Sequence, residues 1–122
     1  MKEGTATIVF SAQDLIDEDW IDGKSDTFFR MYKETANGQW DSAYTSEIIK
    51  NNHNPKWKPF TISIHKEDYE RRLKVQVYDH DSLSRNDEIG NFIAPMRQFK
   101  EGTIFQLTTS GQIRVEKFNV AG

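Results

Sequence analysis

The stretch Val77-Tyr78-Asp79-His80-Asp81-Ser82-Leu83-Ser84-Arg85-Asn86-Asp87-Glu88-Ile89-Gly90 decides how the rest of the chain is read. Leading into it, Leu73, Val75 and Val77 alternate with polar residues at the period of a strand that buries one face. The alternation stops at Tyr78, and Asp79, Asp81 and Asp87 follow closely before Ile89-Gly90. Carboxylates crowded onto one short loop repel one another unless a cation neutralises them. Oxygen donors without Cys point to a hard cation, and Ca²⁺ best tolerates a site built from loops. A solvated acidic turn is the competing reading, because Asp is common in turns. An EF-hand does not fit: Leu83 stands at the fifth loop position, Ser84 where Gly is needed and Gly90 where the bidentate Glu belongs.

Short strand-like segments continue in both directions, with turn chemistry between them. Upstream, Ala6, Ile8 and Phe10 share one face of Thr5–Ser11. An aromatic strand over Thr27–Lys33 is followed by Asn37-Gly38, a hairpin signal, and by a returning strand over Trp40–Ile49. Trp57–His65 is the next strand, and Leu73–Val77 then runs into the acidic stretch. Downstream, Ile89–Met96, Ile104–Leu107 and Gln112–Val120 complete a set of about eight, with turns at Arg97–Lys100 and Ser110-Gly111. Eight strands and no amphipathic helix of useful length predict an all-β antiparallel sandwich in a single domain spanning residues 1–122.

Composition narrows the function. A chain of 122 residues holds one core, and its apolar runs are too short to span a membrane. Met1–Thr5 lacks the apolar stretch of a signal peptide, so a cytoplasmic location is expected. The absence of Cys excludes disulfides and thiolate metal sites. A net charge of −3 argues against nucleic-acid binding driven by overall charge. No activated-nucleophile pattern or phosphate-binding glycine loop is present, and the aspartates fall on loops rather than in a cleft. No catalytic residue is therefore assigned, and no enzymatic activity is expected.

A second acidic connection, Asp14-Leu15-Ile16-Asp17-Glu18-Asp19-Trp20-Ile21-Asp22-Gly23-Lys24-Ser25-Asp26, follows the first strand and carries a Trp-Ile pair. Trp20 either folds back onto the edge of the core or forms, with Ile21, a tip that enters the membrane interface. In an antiparallel meander the Asp19–Asp26, Lys50–Lys56 and Asp79–Asp87 connections fall at the same end, where two acidic loops can share metal.

Together these residues resemble a C2 domain, the β-sandwich module that docks on phospholipid when Ca²⁺ fills its apical loops. Gly23-Lys24-Ser25-Asp26 is similar to the family's Ser-Asp-Pro-Tyr/Phe signature, with Thr27 in place of the proline. Asn54-Pro55-Lys56-Trp57 resembles its Asn-Pro-x-Trp/Phe motif, and the Tyr78–Gly90 stretch its third calcium loop. The likeness is closer to the second C2 domain of copines, through Ser46–Lys58 and Ser110–Ile113. The von Willebrand A-type domain that comes next in copines lies outside these 122 residues, so the chain reads either as an excised module or as a shorter relative.

The resemblance implies a Greek-key sandwich of the permuted, type II order, in which the last strand takes the place that the first occupies in the other type. It implies Ca²⁺ ligation by Asp19, Asp26, Asp79, Asp81 and Asp87, with main-chain carbonyls of Glu18 and His80 and Ser84 as an extra oxygen. The first-loop spacing departs from the family pattern, so Asp17 or Asp22 remains an alternative to Asp19. Trp20, Ile21 and Leu83 become the inserting tip. Arg85 reads equally as a lipid-phosphate contact or as a solvated loop arginine. Lys50, Lys56, Lys58 and Lys74 read either as a phosphoinositide-binding face or as ordinary surface lysines, and His53 and His65 as surface residues. The five aspartates carry −5 of a net −3, so the remainder carries +2, and two Ca²⁺ bring the domain to +1. The expected activity is Ca²⁺-dependent binding of a monomer to an anionic phospholipid membrane. The alternative is a protein-interaction C2 domain that needs no metal.

Overall fold

Alternating strands with one apolar face can bury it only against a second sheet, and the chain does so. The computed structural model describes residues 3–15, 26–80 and 87–122. It contains β1 (Gly4–Gln13), β2 (Thr27–Glu34), β3 (Trp40–Thr45), β4 (Phe60–Ile64), β5 (Arg72–Asp79), β6 (Asp87–Pro95), β7 (Ile104–Gln106) and β8 (Gln112–Ala121). Two short 3-10 turns, Lys66–Glu70 and Met96–Gln98, lie in connections between the sheets. One sheet has the order β4-β1-β8-β7 and the other β3-β2-β5-β6, with every pairing antiparallel. The closing strand β8 lies beside β1, as the permuted order requires.

Aromatic side chains fill the space between the sheets. Phe10 of β1 meets Phe29 of β2 at 5.3 Å and Phe60 of β4 at 5.5 Å between ring centroids. Trp57 stands edge-on to Phe29 at 4.9 Å and is 1% exposed. Leu73, Val75 and Val77 are fully buried, so the period-two face read from the sequence is the inner face of β5.

Two expected boundaries move. The return strand, expected to reach Ile49, ends at Thr45, because Ser46 puts its hydroxyl into the ladder. Ser46 Oγ accepts the Phe29 N–H at 2.9 Å, while Ser46 N–H donates to Phe29 O at 2.9 Å. The chain stays alongside β2 and closes a last bridge from Ile49 to Thr27. The strand expected from Trp57 begins at Phe60, because residues 53–57 bond to β1 as a connection. Their contacts are Ala12 N–H to Pro55 O at 2.8 Å and Trp57 N–H to Phe10 O at 3.1 Å.

Candidate metal centre

Three aspartates of the expected ligand set fall within the described residues, and three strand ends bring them together. Asp26 immediately precedes β2, Asp79 ends β5 and Asp87 opens β6. In register Asp79 stands opposite Thr27 on one side and opposite Asp87 on the other. The Asp26 N–H donates to Asp79 Oδ1 at 3.1 Å, and the His80 N–H donates to Asp26 O at 2.7 Å. Asp26 Oδ1 accepts the Asn51 N–H at 3.0 Å, which ties the β3–β4 connection to the same place. Asn51 has φ +54°, a left-handed conformation that Asn adopts more readily than most residues.

A bulge creates the Asp79–Asp87 pairing. Val77 faces Gly90, but Tyr78 faces Glu88, so Ile89 is the extra residue. Bulges re-aim the side chains that follow them. Here the bulge keeps both Val77 and Ile89 in the core and leaves two carboxylates directly opposed. Opposed side chains in an antiparallel pair have Cβ atoms about 5 Å apart, and like charges there are destabilising. A Cβ on Gly90 would come 3.1 Å from Leu107 Cβ, which explains the glycine after Ile89.

The Asn54-Pro55-x-Trp57 motif fixes the neighbouring end of β1. Asn54 Oδ1 accepts the Asp14 N–H at 2.9 Å, and His53 O accepts the Leu15 N–H at 3.1 Å. Leu15 is fully buried, which anchors the start of the first acidic connection. The Trp57 indole donates to Thr27 O at 3.3 Å, next to Asp26. The ends of β1, β2, β5 and β6 and the β3–β4 connection thus converge, as strand parity predicts.

Asp19, Glu18, Trp20, Ile21, Asp81, Leu83 and Arg85 lie outside the described residues, as do Asp17, Asp22 and Ser84. Among the described residues no group of three or more His, Asp and Glu side chains is placed to hold an ion. The donor chemistry of Asp26, Asp79 and Asp87 fits a hard cation, since it supplies only carboxylate oxygen. His80 is half-buried, with its ring edge-on to Phe28 at 6.3 Å between centroids. His53 is half-buried rather than a surface residue, because its carbonyl serves the Leu15 N–H; His65 is exposed.

One surface feature is read from the sequence only in part, at Lys74. On the outer face of the second sheet, the Arg30 guanidinium lies 5.5 Å from the Phe28 ring and 5.2 Å from the Tyr78 ring. The Lys74 ammonium lies 4.9 Å from Tyr32 and 4.8 Å from Trp40. Burial raises the Tyr78 phenol pKa, and the nearby Tyr32 and Glu88 add to the rise. The signal was available in Tyr32 and Lys74 as outward positions, but their contact depends on a register that places them opposite each other. Lys74 belongs to this face, whereas Lys50, Lys56 and Lys58 lie on the β3–β4 connection.

A C2 domain family model matches residues 5–110. The chain belongs to the C2 domain family. Solved structures agree on the fold. BON1-C2B superposes with a TM-score of 0.77 at 22% identity, over 98% of this chain and 93% of that one. A C2 domain of a plant Extended Synaptotagmin 1 gives 0.68 at 17% identity, over 97% and 95%. Another C2 domain structure gives 0.70 at 17%, over 93% and 95%. C2 domains are generally non-catalytic modules that bind membranes or proteins. Among the described residues of this C2 domain, no helix is long and apolar enough to cross a membrane.

Proposed function

We propose that this C2 domain is a Ca²⁺-dependent phospholipid-binding module, akin to the second C2 domain of copines, that acts from the cytoplasm. The observation that carries the reading is the placement of Asp26, Asp79 and Asp87 on adjoining chain ends, with Asp79 and Asp87 directly opposed. Such an arrangement costs stability until a cation relieves it. In this proposal Asp26, Asp79 and Asp87 hold Ca²⁺ together with Asp19, Asp81 and the carbonyls of Glu18 and His80. Bound Ca²⁺ supplies positive charge and coordination positions that lipid phosphate oxygens can fill. Trp20, Ile21 and Leu83 enter the interface shallowly, and Arg85 meets a phosphate.

Calorimetric Ca²⁺ titration, with and without phosphatidylserine vesicles, tests the reading. The expected result is saturable Ca²⁺ binding that tightens when the vesicles are present. Heats no larger than dilution in both arms would instead favour a protein-interaction module that needs no metal.

A further inference from the structure

At the end of the sandwich away from the acidic loops, an open recess of about 470 Å³ lies between the two 3-10 turns and the last part of β8. The pairing of β8 with β1 shows the separation. Gln112 faces Gln13 at the acidic end, and Val120 faces Ala6 at the other. Those eight strand steps separate Gln112 from Val120 by about 26 Å, so the recess lies at the end of the sandwich opposite the aspartates. Tyr69, Met96, Phe99, Phe118 and Val120 provide its apolar lining. Met96 and Phe99 are 1% and 2% exposed, so the floor is part of the core, while Phe118 is partly buried against it.

Protein interiors are close-packed, and an apolar hollow of this size has the dimensions of a small-ligand site. The charges on its lining have one sign. Arg97 and Lys100 both line it and are exposed, and it includes no acidic residue. Glu70 reaches Arg97 only at 3.9 Å and is itself highly exposed, so it neutralises the mouth weakly. A second cleft among the described residues, about 570 Å³ beside β3 and β4, differs in kind. Its lining carries both signs: Lys33 pairs with Asp68 at 2.8 Å, Glu34 pairs with the neighbouring Arg72 at 2.8 Å, and Asp41, Glu67 and Arg71 add further charges of both kinds.

We infer that the recess binds a small amphipathic carboxylate, with the apolar body against Met96, Phe99 and Phe118 and the carboxylate held by Arg97 and Lys100. Flat rings and a flexible thioether accept an aliphatic or aromatic body without demanding one shape. The two cations supply the orientation. The site is remote from the aspartates, so it fills independently of Ca²⁺, and this inference stands or falls separately from the membrane reading.

Decanoate below its micelle concentration is a suitable probe, followed by amide chemical shifts on the ¹⁵N-labelled domain with and without Ca²⁺. Saturable shifts are expected at residues 69–71, 96–100 and 118–120, with the same midpoint in both conditions. Decanol should bind about tenfold more weakly, and the R97E/K100E double variant should lose about tenfold in decanoate affinity. Both replaced side chains are exposed, so the fold is retained and the dispersed spectrum verifies it. Equal binding of decanol and decanoate, no effect of R97E/K100E, or shifts elsewhere would each overturn the inference. So would the absence of decanoate binding alongside capture of an acidic peptide bearing an aromatic side chain, which would make the recess a protein-docking site.

Discussion

Thr27 stands where the C2 signature has proline, and its surroundings show what the exchange does. The Thr27 N–H donates to Ile49 O at 2.9 Å, and Thr27 O accepts the Ile49 N–H at 2.9 Å, so the amide closes the bridge that holds the β3–β4 connection beside Asp26. Proline would delete that donor. The hydroxyl has no such use: Thr27 is fully buried, and among the described residues nothing pairs with Oγ1. An unsatisfied buried hydroxyl costs about 1–3 kcal/mol. Thr27→Val is therefore expected to raise stability by about 1 kcal/mol, and Thr27→Pro to lower it by about as much, both read by urea denaturation. Asp26 separates the fold from the metal. Asp26→Asn keeps an oxygen able to accept the Asn51 N–H while removing a charge. In the proposed function this variant unfolds at the wild-type temperature or above it in EDTA, and it loses at least tenfold in Ca²⁺ affinity by calorimetry. Unchanged affinity would remove Asp26 from the ligand set.

The Lys66–Glu70 turn joins the sheets at the other end and depends on one buried carboxylate. Asp68 is 6% exposed, accepts the His65 N–H at 2.8 Å and pairs with Lys33 of β2 at 2.8 Å. Burial pushes the Asp68 carboxyl pKa up, but the Lys33 ammonium and the His65 N–H outweigh it, and the net pKa lies below the ordinary value. A carboxyl with a lowered folded pKa adds stability above its unfolded pKa, about 3.9, and loses it as pH falls through the folded value. Asp68→Asn should cost about 2 kcal/mol at pH 7. The gap from wild type should narrow only below about pH 4, as acid titrations of both proteins by circular dichroism will show. This connection was not legible in the sequence, because Lys33 and Asp68 share no local pattern. The strands were legible where alternation is strict, as at Leu73, Val75 and Val77. Alternation does not report an end set by a side chain, so the Ser46 hydroxyl and the Trp57 amide moved two boundaries. Asp79 and Asp87 were legible as acidic positions. That they face each other was not, since the bulge at Ile89 depends on cross-strand register and on the close approach of Gly90 to Leu107.

At the scale of the whole molecule, the acidic strand ends and the cationic recess lie at opposite ends of the sandwich, and in the proposed function Ca²⁺ acts on only the first. The aspartates crowd the loop end, while Arg97 and Lys100 mark the opposite recess. An ion that binds the native state and not the unfolded chain stabilises by mass action, about 2.7 kcal/mol at a hundredfold excess over its Kd. For a domain of this size each kcal/mol is worth about 4 °C in Tm. Saturating Ca²⁺ should thus raise the wild-type Tm by about 10 °C, and Mg²⁺ by far less, because its small octahedral shell suits a loop-built carboxylate site poorly. The R97E/K100E variant should show the full Ca²⁺ shift, since its charges lie at the opposite end of the sandwich from the site. Vesicle sedimentation completes the test. Attachment to phosphatidylserine should require Ca²⁺, weaken as salt shortens the Debye length from about 10 Å at 0.1 M, and fail on uncharged phosphatidylcholine. A Ca²⁺-induced rise in Tm without attachment would keep the metal centre and shift the partner from lipid to protein. Attachment that ignores Ca²⁺ would assign the lipid contact to another surface, with the cation-bearing face of Arg30 and Lys74 the first to test by charge reversal.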